Sequence, residues 1–142
     1  MIDFKIVGDW SDERFDVIYN EQCAGYQNFI IQDDGQIHLA DLIIYETVRP
    51  VHRSWLQKIV NPFYKPPVPT PLRQNGIGQA LLSRLIRLAK ENKARTICGS
   101  ITEDDEKRSP LLVRWYQKNG FIIGPPIETH LVPGKHSILL NL

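Results

Sequence analysis

The chain has 142 residues, of which 42% are hydrophobic and 23% charged; this ordinary globular usage fits one domain over residues 1–142 and excludes a disordered or collagen-like chain. Its two cysteines, Cys23 and Cys98, are too few for a disulfide framework or a cysteine-based metal site. The net charge of +1 is the sum of an acidic first third and a basic middle section. Because prolines separate the basic residues, we expect no continuous basic surface that would bind nucleic acid.

Alternating apolar and polar residues predict four antiparallel strands near residues 2–6, 15–19, 23–31 and 36–46. Asp33, Asp34 and Gly35 give a strong hairpin-turn signal before the fourth strand, because Asp and Gly tolerate positive φ. The fourth strand is rich in Ile and Leu, so we expect it to be well buried.

Six of the ten prolines fall between residues 49 and 72. Proline lacks an N–H and fixes φ, so the second half of this segment is predicted to be neither helix nor central strand. Residues 52–60 are compatible with a short helix. A connection of this length inside a compact domain is usually functional or mobile.

An amphipathic helix is predicted over residues 76–91, where Ile77, Leu81 and Leu85 form one apolar stripe and Arg84 faces outward. A strand over residues 96–102 follows, and then a charged loop over residues 104–108. A second helix is predicted to start with Ser109 as its N-cap and Pro110 in its first turn.

The second helix is predicted to end at Asn119 and Gly120. Its expected buried side consists of Leu111, Leu112, Trp115 and Tyr116. A short strand over residues 121–123 and a terminal hairpin, which pairs residues 127–132 with 137–142, complete the predicted elements.

Gly76 and Gly78 stand where a loop turns into the first helix. Glycine admits positive φ and close approach to a ligand, and the first turn of a helix offers unbonded N–H groups that suit phosphate. Arg73 adds a charged donor. A P-loop is excluded because no Gly-Lys-Ser/Thr follows, and a dinucleotide fingerprint is excluded because Leu81 stands at the third glycine.

Three segments together resemble the GNAT superfamily of acyl-CoA-dependent N-acyltransferases. Residues 73–78 match its acetyl-CoA signature, Gln/Arg-x-x-Gly-x-Gly/Ala. Residues 116–121 match its Tyr-x-Lys-x-Gly-Phe hallmark, and residues 40–44 resemble its Leu-Ala-Val strand. The resemblance implies an α+β (α/β) fold, with a mixed, mostly antiparallel central sheet flanked by helices.

The chain departs from the family pattern in two places. The family places one or two helices between its first two strands, whereas residues 9–14 leave no room for them, so we expect those helices to be missing. The insertion over residues 49–72 also separates the fourth strand from the glycine loop. We interpret it as a replacement wall for the acceptor site, lined by Trp55, Phe63 and Tyr64, or as the arm of a homodimer.

The resemblance implies direct transfer of an acetyl group from acetyl-CoA, as co-substrate, to a primary amine, without a metal. The strand backbone would bind the pantetheine arm and the carbonyl oxygen of the thioester, and the glycine loop would bind the pyrophosphate. The cofactor-binding residues are then expected to be Leu42, Ile43, Ile44, Arg73, Gln74, Asn75, Gly76, Ile77, Gly78 and Gln79.

His38 is our first candidate for the general base, because the ordinary pKa of histidine, about 6.5, suits proton removal near neutrality. Strand alternation would put it on one face with Ala40, Leu42 and Ile44. The rival bases are Asp41, Glu46 and His52. Tyr116 falls on the family's tyrosine, and its phenol is expected to protonate the departing CoA thiolate.

The expected partner is a small-molecule or peptide amine, with neither nucleic acid nor membrane. Since we find no signal peptide and no apolar run of roughly 18 residues, we expect a cytoplasmic protein. Two alternatives stay open. One is a catalytically inactive GNAT-like domain that binds CoA as a sensor. The other is an interaction module whose residues 66–69 are bound as polyproline II.

Overall fold

The computed structural model describes residues 3–45, 47–48, 70–71, 76–126 and 134–142. Their elements in chain order are β1 (Lys5–Val7), a 3-10 turn (Trp10–Asp12), β2 (Arg14–Tyr19), β3 (Gln22–Ile31), β4 (Gln36–Ile44), β5 (Thr47–Val48), β6 (Thr70–Pro71), α1 (Ile77–Glu91), β7 (Thr96–Thr102), α2 (Glu103–Arg108), α3 (Leu112–Lys118), β8 (Ile122–Gly124) and β9 (Gly134–Asn141).

Seven of these strands form one mixed sheet in the order β1-β2-β3-β4-β7-β9-β8. β4 and β7 run parallel, whereas β1 and β2, β7 and β9, and β8 and β9 run antiparallel. The predicted α+β fold with a mixed, mostly antiparallel sheet is therefore confirmed. Among the described helices, none combines the length and the hydrophobicity that a membrane span requires.

The connection between β1 and β2 is one 3-10 turn, as the short interval predicted. Asp9 begins it with a reciprocal capping box, in which its side chain accepts from Trp10 N–H at 2.7 Å and its own N–H donates to Asp12 at 2.8 Å. The helices that the family places here are absent from this part of the described chain.

The chain divides into two compact units. The first comprises Met1–Gln27 and Leu42–Leu81, and its described core includes Phe15, Val17 and Leu81. The second comprises Asn28–Asp41 and Leu82–Leu142. Its described core contains Phe29, Ile37, Leu39, Leu82, Leu85, Ala89, Ile97, Ile101, Tyr116, Phe121 and Ile138.

The register between β3 and β4 changes along their length. Near the hairpin, Gln32 N–H donates to Gln36 O at 2.9 Å, and at the other end Tyr45 N–H donates to Ala24 O at 3.0 Å. Gln36 and Tyr45 are nine residues apart in sequence, whereas Ala24 and Gln32 are eight apart. β4 therefore contains one extra residue, which is the definition of a β-bulge.

Burial along β4 locates this bulge at Ala40 and Asp41. Ile37 and Leu39 are buried, as strand alternation requires, but the consecutive residues Ala40 and Asp41 are both exposed. Leu42, Ile43 and Ile44 are all half-buried, so burial no longer alternates after these two residues. The prediction of a well-buried fourth strand is thus correct only for its first half.

The two ends of the proline-rich insertion are joined by a short antiparallel ladder. Thr47 pairs with Pro71, and Val48 pairs with Thr70. This two-residue ribbon is separate from the large sheet, so Pro71 removes no hydrogen bond from a central strand. The helix expected over residues 52–60, and Trp55, Phe63 and Tyr64, lie outside the described residues.

The segment predicted as a charged loop is instead helix α2. Asp105 N–H donates to the Thr102 hydroxyl at 3.1 Å, and Thr102 N–H donates to the Asp105 carboxylate at 2.9 Å. This reciprocal capping box satisfies two amides of the first turn and outweighs the polarity that suggested a loop. The Thr-x-x-Asp pattern was the signal available in the sequence.

Helix α3 starts later than predicted. Ser109 and Pro110 form a turn, closed by Leu112 N–H to Ser109 O at 3.0 Å, and the residue before the helix provides no side-chain cap. That residue, Leu111, is 67% exposed and not part of the buried side. The predicted end is confirmed, because Gly120 has a φ of 91° directly after the helix.

The last strand has different partners from those predicted. β9 pairs along its length with β7 and also with β8, where Ile123 lies opposite Ile138. Its position between two strands buries Ile138 at 2% exposure. Residues 127–132, the other half of the predicted terminal hairpin, lie outside the described residues.

Candidate active site

Gly76 occupies a left-handed backbone position that favours glycine. Its φ is 78°, in the left-handed region, and its carbonyl accepts the first helical hydrogen bond of α1 from Ala80 N–H at 3.0 Å. Among the described residues, a Cβ built on Gly76 would meet no heavy atom within 4 Å. The residue therefore has a special backbone conformation and open space beside it, which is the combination that a backbone approached by a ligand requires.

The first turn of α1 suits an anion. The amides of Ile77 and Gly78 precede the first helical hydrogen bond, and no acidic residue lies in the first turn. Ile77 is buried at 1% exposure and anchors this end of the helix, whereas Gln79 is exposed. The other predicted members of the loop, Arg73, Gln74 and Asn75, lie outside the described residues.

In the first unit, the end of β4 lies tightly against β3. A Cβ at Gly25 would lie 2.5 Å from the carbonyl oxygen of Ile43, so only glycine fits there. Leu42, Ile43 and Ile44, the residues predicted to bind the pantetheine arm, are all half-buried. The strand backbone is thus held on its β3 side by a contact that any side chain at residue 25 would prevent.

His38 lies in the second unit, at the end of the ladder between β4 and β7. The parallel ladder between these strands consists of three residue pairs and ends with His38 opposite Cys98. The Nδ1 of His38 is 3.6 Å from the Sγ of Cys98. Both side chains are half-buried, so His38 is partly accessible and already in contact with a hydrogen-bonding group.

The bulge changes which residues share a face with His38. Asn28 donates its side-chain amide to Asp41 at 3.4 Å, so Asp41 lies on the face of β4 that is opposite Ile37 and Leu39. His38 lies on this same exposed face. His38 belongs to the second unit, whereas Leu42 and Ile44 belong to the first, so their predicted grouping on one face stays a prediction.

Tyr116 lies in the second unit on α3 and is only 7% exposed. Its ring packs edge-to-face on Trp115 and Phe121, with centroids 4.9 and 5.1 Å apart. Burial, with a smaller contribution from the charge of Asp105, raises the pKa of Tyr116 to about 12. Its phenol is therefore protonated at neutral pH.

The predicted site residues fall into both units. Leu42–Ile44 and Gly76–Gln79 belong to the first unit, and His38, Asp41 and Tyr116 belong to the second. The other proposed bases, Glu46 and His52, lie outside the described residues. Sequence reasoning missed Cys98 as a partner of His38, since nothing in a single sequence shows that residues 60 apart pair in parallel strands.

No protein-family model matches the chain, and the sequences of curated proteins do not match it either. Solved structures, however, match its fold. An acetyltransferase of the GNAT family from Staphylococcus aureus Mu50 superposes with a TM-score of 0.61 at 17% identity, over 91% of this chain and 67% of that one.

Two further matches were solved with cofactor. The PaiA N-acetyltransferase from Thermoplasma acidophilum, in complex with coenzyme A, has a TM-score of 0.58 at 13% identity, over 91% of this chain and 60% of that one. A GNAT family acetyltransferase from Elizabethkingia anophelis, with acetyl-CoA bound, has a TM-score of 0.55 at 17% identity, over 91% of this chain and 75% of that one.

This chain therefore spans only 60% of the Thermoplasma acidophilum protein and 67% of the Staphylococcus aureus protein. At these identities the likeness concerns the fold. The chain has the fold of the GNAT acetyltransferases, and the resemblance that its sequence motifs indicated is confirmed at that level.

Proposed function

We propose that this protein is an acetyl-CoA-dependent N-acetyltransferase that acetylates a primary amine. One observation carries the proposal. In a chain with the GNAT fold, the glycine of the acetyl-CoA signature, Gly76, has a φ of 78° and open space beside its α-carbon, at the start of a helix without first-turn acids. These features fit a pyrophosphate bound by backbone amides.

The residues present fit acetyl-CoA in two places. The amides of residues 76–79, with Arg73, Gln74 and Asn75 before them, would bind the pyrophosphate. The backbone of Leu42–Ile44 would pair with the pantetheine amides and donate an N–H to the thioester oxygen, which becomes negative during the reaction. Acetyl-CoA supplies an activated acetyl group when bound, so the protein has to provide orientation and proton transfer.

His38 is the base that the geometry favours. It is half-buried, lies at the end of the β4–β7 ladder, and shares its face of β4 with Asp41. In this role one ring nitrogen takes the proton that leaves the amine nitrogen as the new N–C bond forms. Asp41 is already hydrogen-bonded to Asn28 and exposed, which suits attraction of a cationic amine better than proton removal near neutrality.

Tyr116 acts as a hydrogen-bond donor to the departing thiolate. With its pKa raised to about 12, the phenol of Tyr116 is a weaker acid than an ordinary thiol, so complete proton transfer to the thiolate would be unfavourable. The phenol nevertheless stays protonated and can stabilise the negative sulfur by sharing its hydrogen. This refines the predicted role of Tyr116 from acid to donor.

The cofactor site is tested by titrating acetyl-CoA calorimetrically into the unmodified protein, Gly76→Asp and Gly76→Asn. Asp and Asn have similar size and tolerate positive φ similarly, so their difference isolates the charge. We expect micromolar binding by the unmodified protein, several-fold weaker binding by Gly76→Asn, and at least tenfold weaker binding again by Gly76→Asp. The difference in affinity for acetyl-CoA between Gly76→Asn and Gly76→Asp should become smaller at high salt, because salt screens the added charge.

Equal affinities of Gly76→Asp and Gly76→Asn would contradict a pyrophosphate at this turn. An amine screen over peptide N-termini, lysine, polyamines and aminoglycosides then separates the enzyme from a CoA-binding sensor, which binds without turnover. If the protein is instead an interaction module, the Gly76→Asp variant should still bind the partner protein, and replacement of residues 66–69 should abolish that binding.

A further inference from the structure

The contact between His38 and Cys98 has a consequence for the proposed base. The two residues are direct partners in the parallel ladder, and the nitrogen that contacts Sγ is Nδ1, at 3.6 Å. Nε2 has no hydrogen-bond partner among the described residues, so it is the ring nitrogen that remains for substrate. Since the hydrogen bond at one ring nitrogen sets the protonation of the other, the tautomer of His38 depends on whether Cys98 accepts from Nδ1 or donates to it.

The Cys98 thiol is suited to a supporting role. Burial, with a smaller contribution from the charge of Asp34, raises its pKa, so it stays an uncharged thiol at neutral pH and is a poor nucleophile. A thiol is both a weak donor and a weak acceptor. It can therefore remain in contact with His38 when Nδ1 carries a hydrogen, whether the ring is neutral or protonated.

We propose that Cys98 is a positioning residue for His38, accepting a hydrogen bond from Nδ1–H so that Nε2 stays unprotonated and faces the acceptor amine. This proposal rests on the proposed function, in which His38 is the general base. In the transfer step the amine N–H bond breaks and an Nε2–H bond forms, while the Nδ1–H···Sγ contact persists. Cys98 touches neither the acetyl donor nor the amine.

Few other polar groups on this face compete for the ring. On β4 the neighbouring titratable group is Asp41, which is bonded to Asn28 of β3. At the β3–β4 turn, Asp34 acts on Cys98 through its charge. On β7 the group facing His38 is Cys98 itself, so this thiol is the hydrogen-bonding contact of the ring within the described residues.

The experiment is NMR of the imidazole nitrogens in the uniformly ¹⁵N-labelled full chain, which reads the tautomer of each histidine directly. The variants are Cys98→Ala, which removes the contact, and Cys98→Ser, which retains a donor and acceptor. Cys23→Ala is the matched control, because Cys23 is the other free cysteine, is exposed, and contacts Asp16 and Gly25 rather than a histidine.

We expect His38 to have Nδ1–H and a bare Nε2 in the unmodified protein, in Cys98→Ser and in Cys23→Ala. In Cys98→Ala the Nε2–H tautomer should become the major one. With acetyl-CoA and a working amine, kcat/KM should fall about tenfold in Cys98→Ala, with KM little changed, and most of it should return in Cys98→Ser.

An unchanged tautomer in Cys98→Ala, or an Nε2–H tautomer in the unmodified protein, overturns the proposal. The NMR readout needs neither cofactor nor turnover, so it is independent of the proposed function. Different results would contradict the proposed function: no binding of acetyl-CoA, or a His38→Gln variant that is as active as the unmodified protein.

Discussion

The side-chain amide of Asn28 on β3 donates to the carboxylate of Asp41 on β4 at 3.4 Å, although uninterrupted alternation from the buried Leu39 would place Asp41 on the opposite, buried face. The bulge in β4 explains this contact. The extra residue leaves both Ala40 and Asp41 exposed, so a carboxylate lies on the same face as His38. Two rival bases are thereby close in sequence and on one face, but only His38 is bonded to a thiol.

Paired substitutions separate the roles of His38 and Asp41. We expect His38→Gln to lower kcat/KM by about 10²–10³, because a positioned general base contributes about that much. Asp41→Asn, which retains the contact with Asn28, should lower it by less than tenfold and mainly through KM, since it removes attraction for a cationic amine. Steady-state kinetics with one amine and saturating acetyl-CoA give both values. A larger loss of kcat/KM in Asp41→Asn than in His38→Gln would indicate that Asp41 is the base.

The sequence predicted the strands β1 to β4, helix α1 with Gly76 at its start, and a later helix that contains Tyr116, because these depend on periodicity, turn residues and a specific motif. It could not predict the bulge, since Ala40 and Asp41 have no local signal that marks an extra residue. It also could not reveal the Cys98–His38 pairing, which arises from a parallel ladder between distant segments. Both omissions concern how strands align, and both determine the surroundings of the proposed base.

The buried phenol of Tyr116 should make stability depend on high pH. Its pKa is raised from 10.0 to about 12 on folding, so the unfolded chain loses this proton first. The stabilisation is fully present below pH 10 and is lost as the pH rises towards 12, by on the order of 2 kcal/mol. Urea unfolding at pH 8 and pH 11 should show a smaller loss of stability in Tyr116→Phe than in the unmodified protein.

If stability declines equally between pH 8 and pH 11 in Tyr116→Phe and in the unmodified protein, the phenol of Tyr116 ionises in the folded state as readily as in the unfolded chain. The control is Tyr19→Phe, since Tyr19 is half-buried and lies in the other unit. That variant should retain the full decline between pH 10 and 12.

Thr102 should be the residue on which the short helix α2 depends most. Its hydroxyl accepts from Asp105 N–H, and no residue of the helix is buried, so little packing supports it. We expect Thr102→Ala to lower the free energy of unfolding by about 1 kcal/mol and Thr102→Ser to cost much less, because Ser provides the same cap. Chemical denaturation measures both, and equal losses would show that the methyl group matters rather than the cap.

Gln27 is the polar residue in the described core, at 0% exposure, and neither atom of its side-chain amide has a hydrogen-bond partner among the described residues. Burying an unbonded amide costs free energy, whereas methionine has a similar length and no such requirement. We therefore expect Gln27→Met to raise the free energy of unfolding by about 1–2 kcal/mol. The matched control is Gln27→Glu, which buries a charge at the same position and should destabilise the protein increasingly as the pH rises above 5. If Gln27→Met is destabilising in urea unfolding, the amide has a bonded partner, such as an internal water, that the substitution removes.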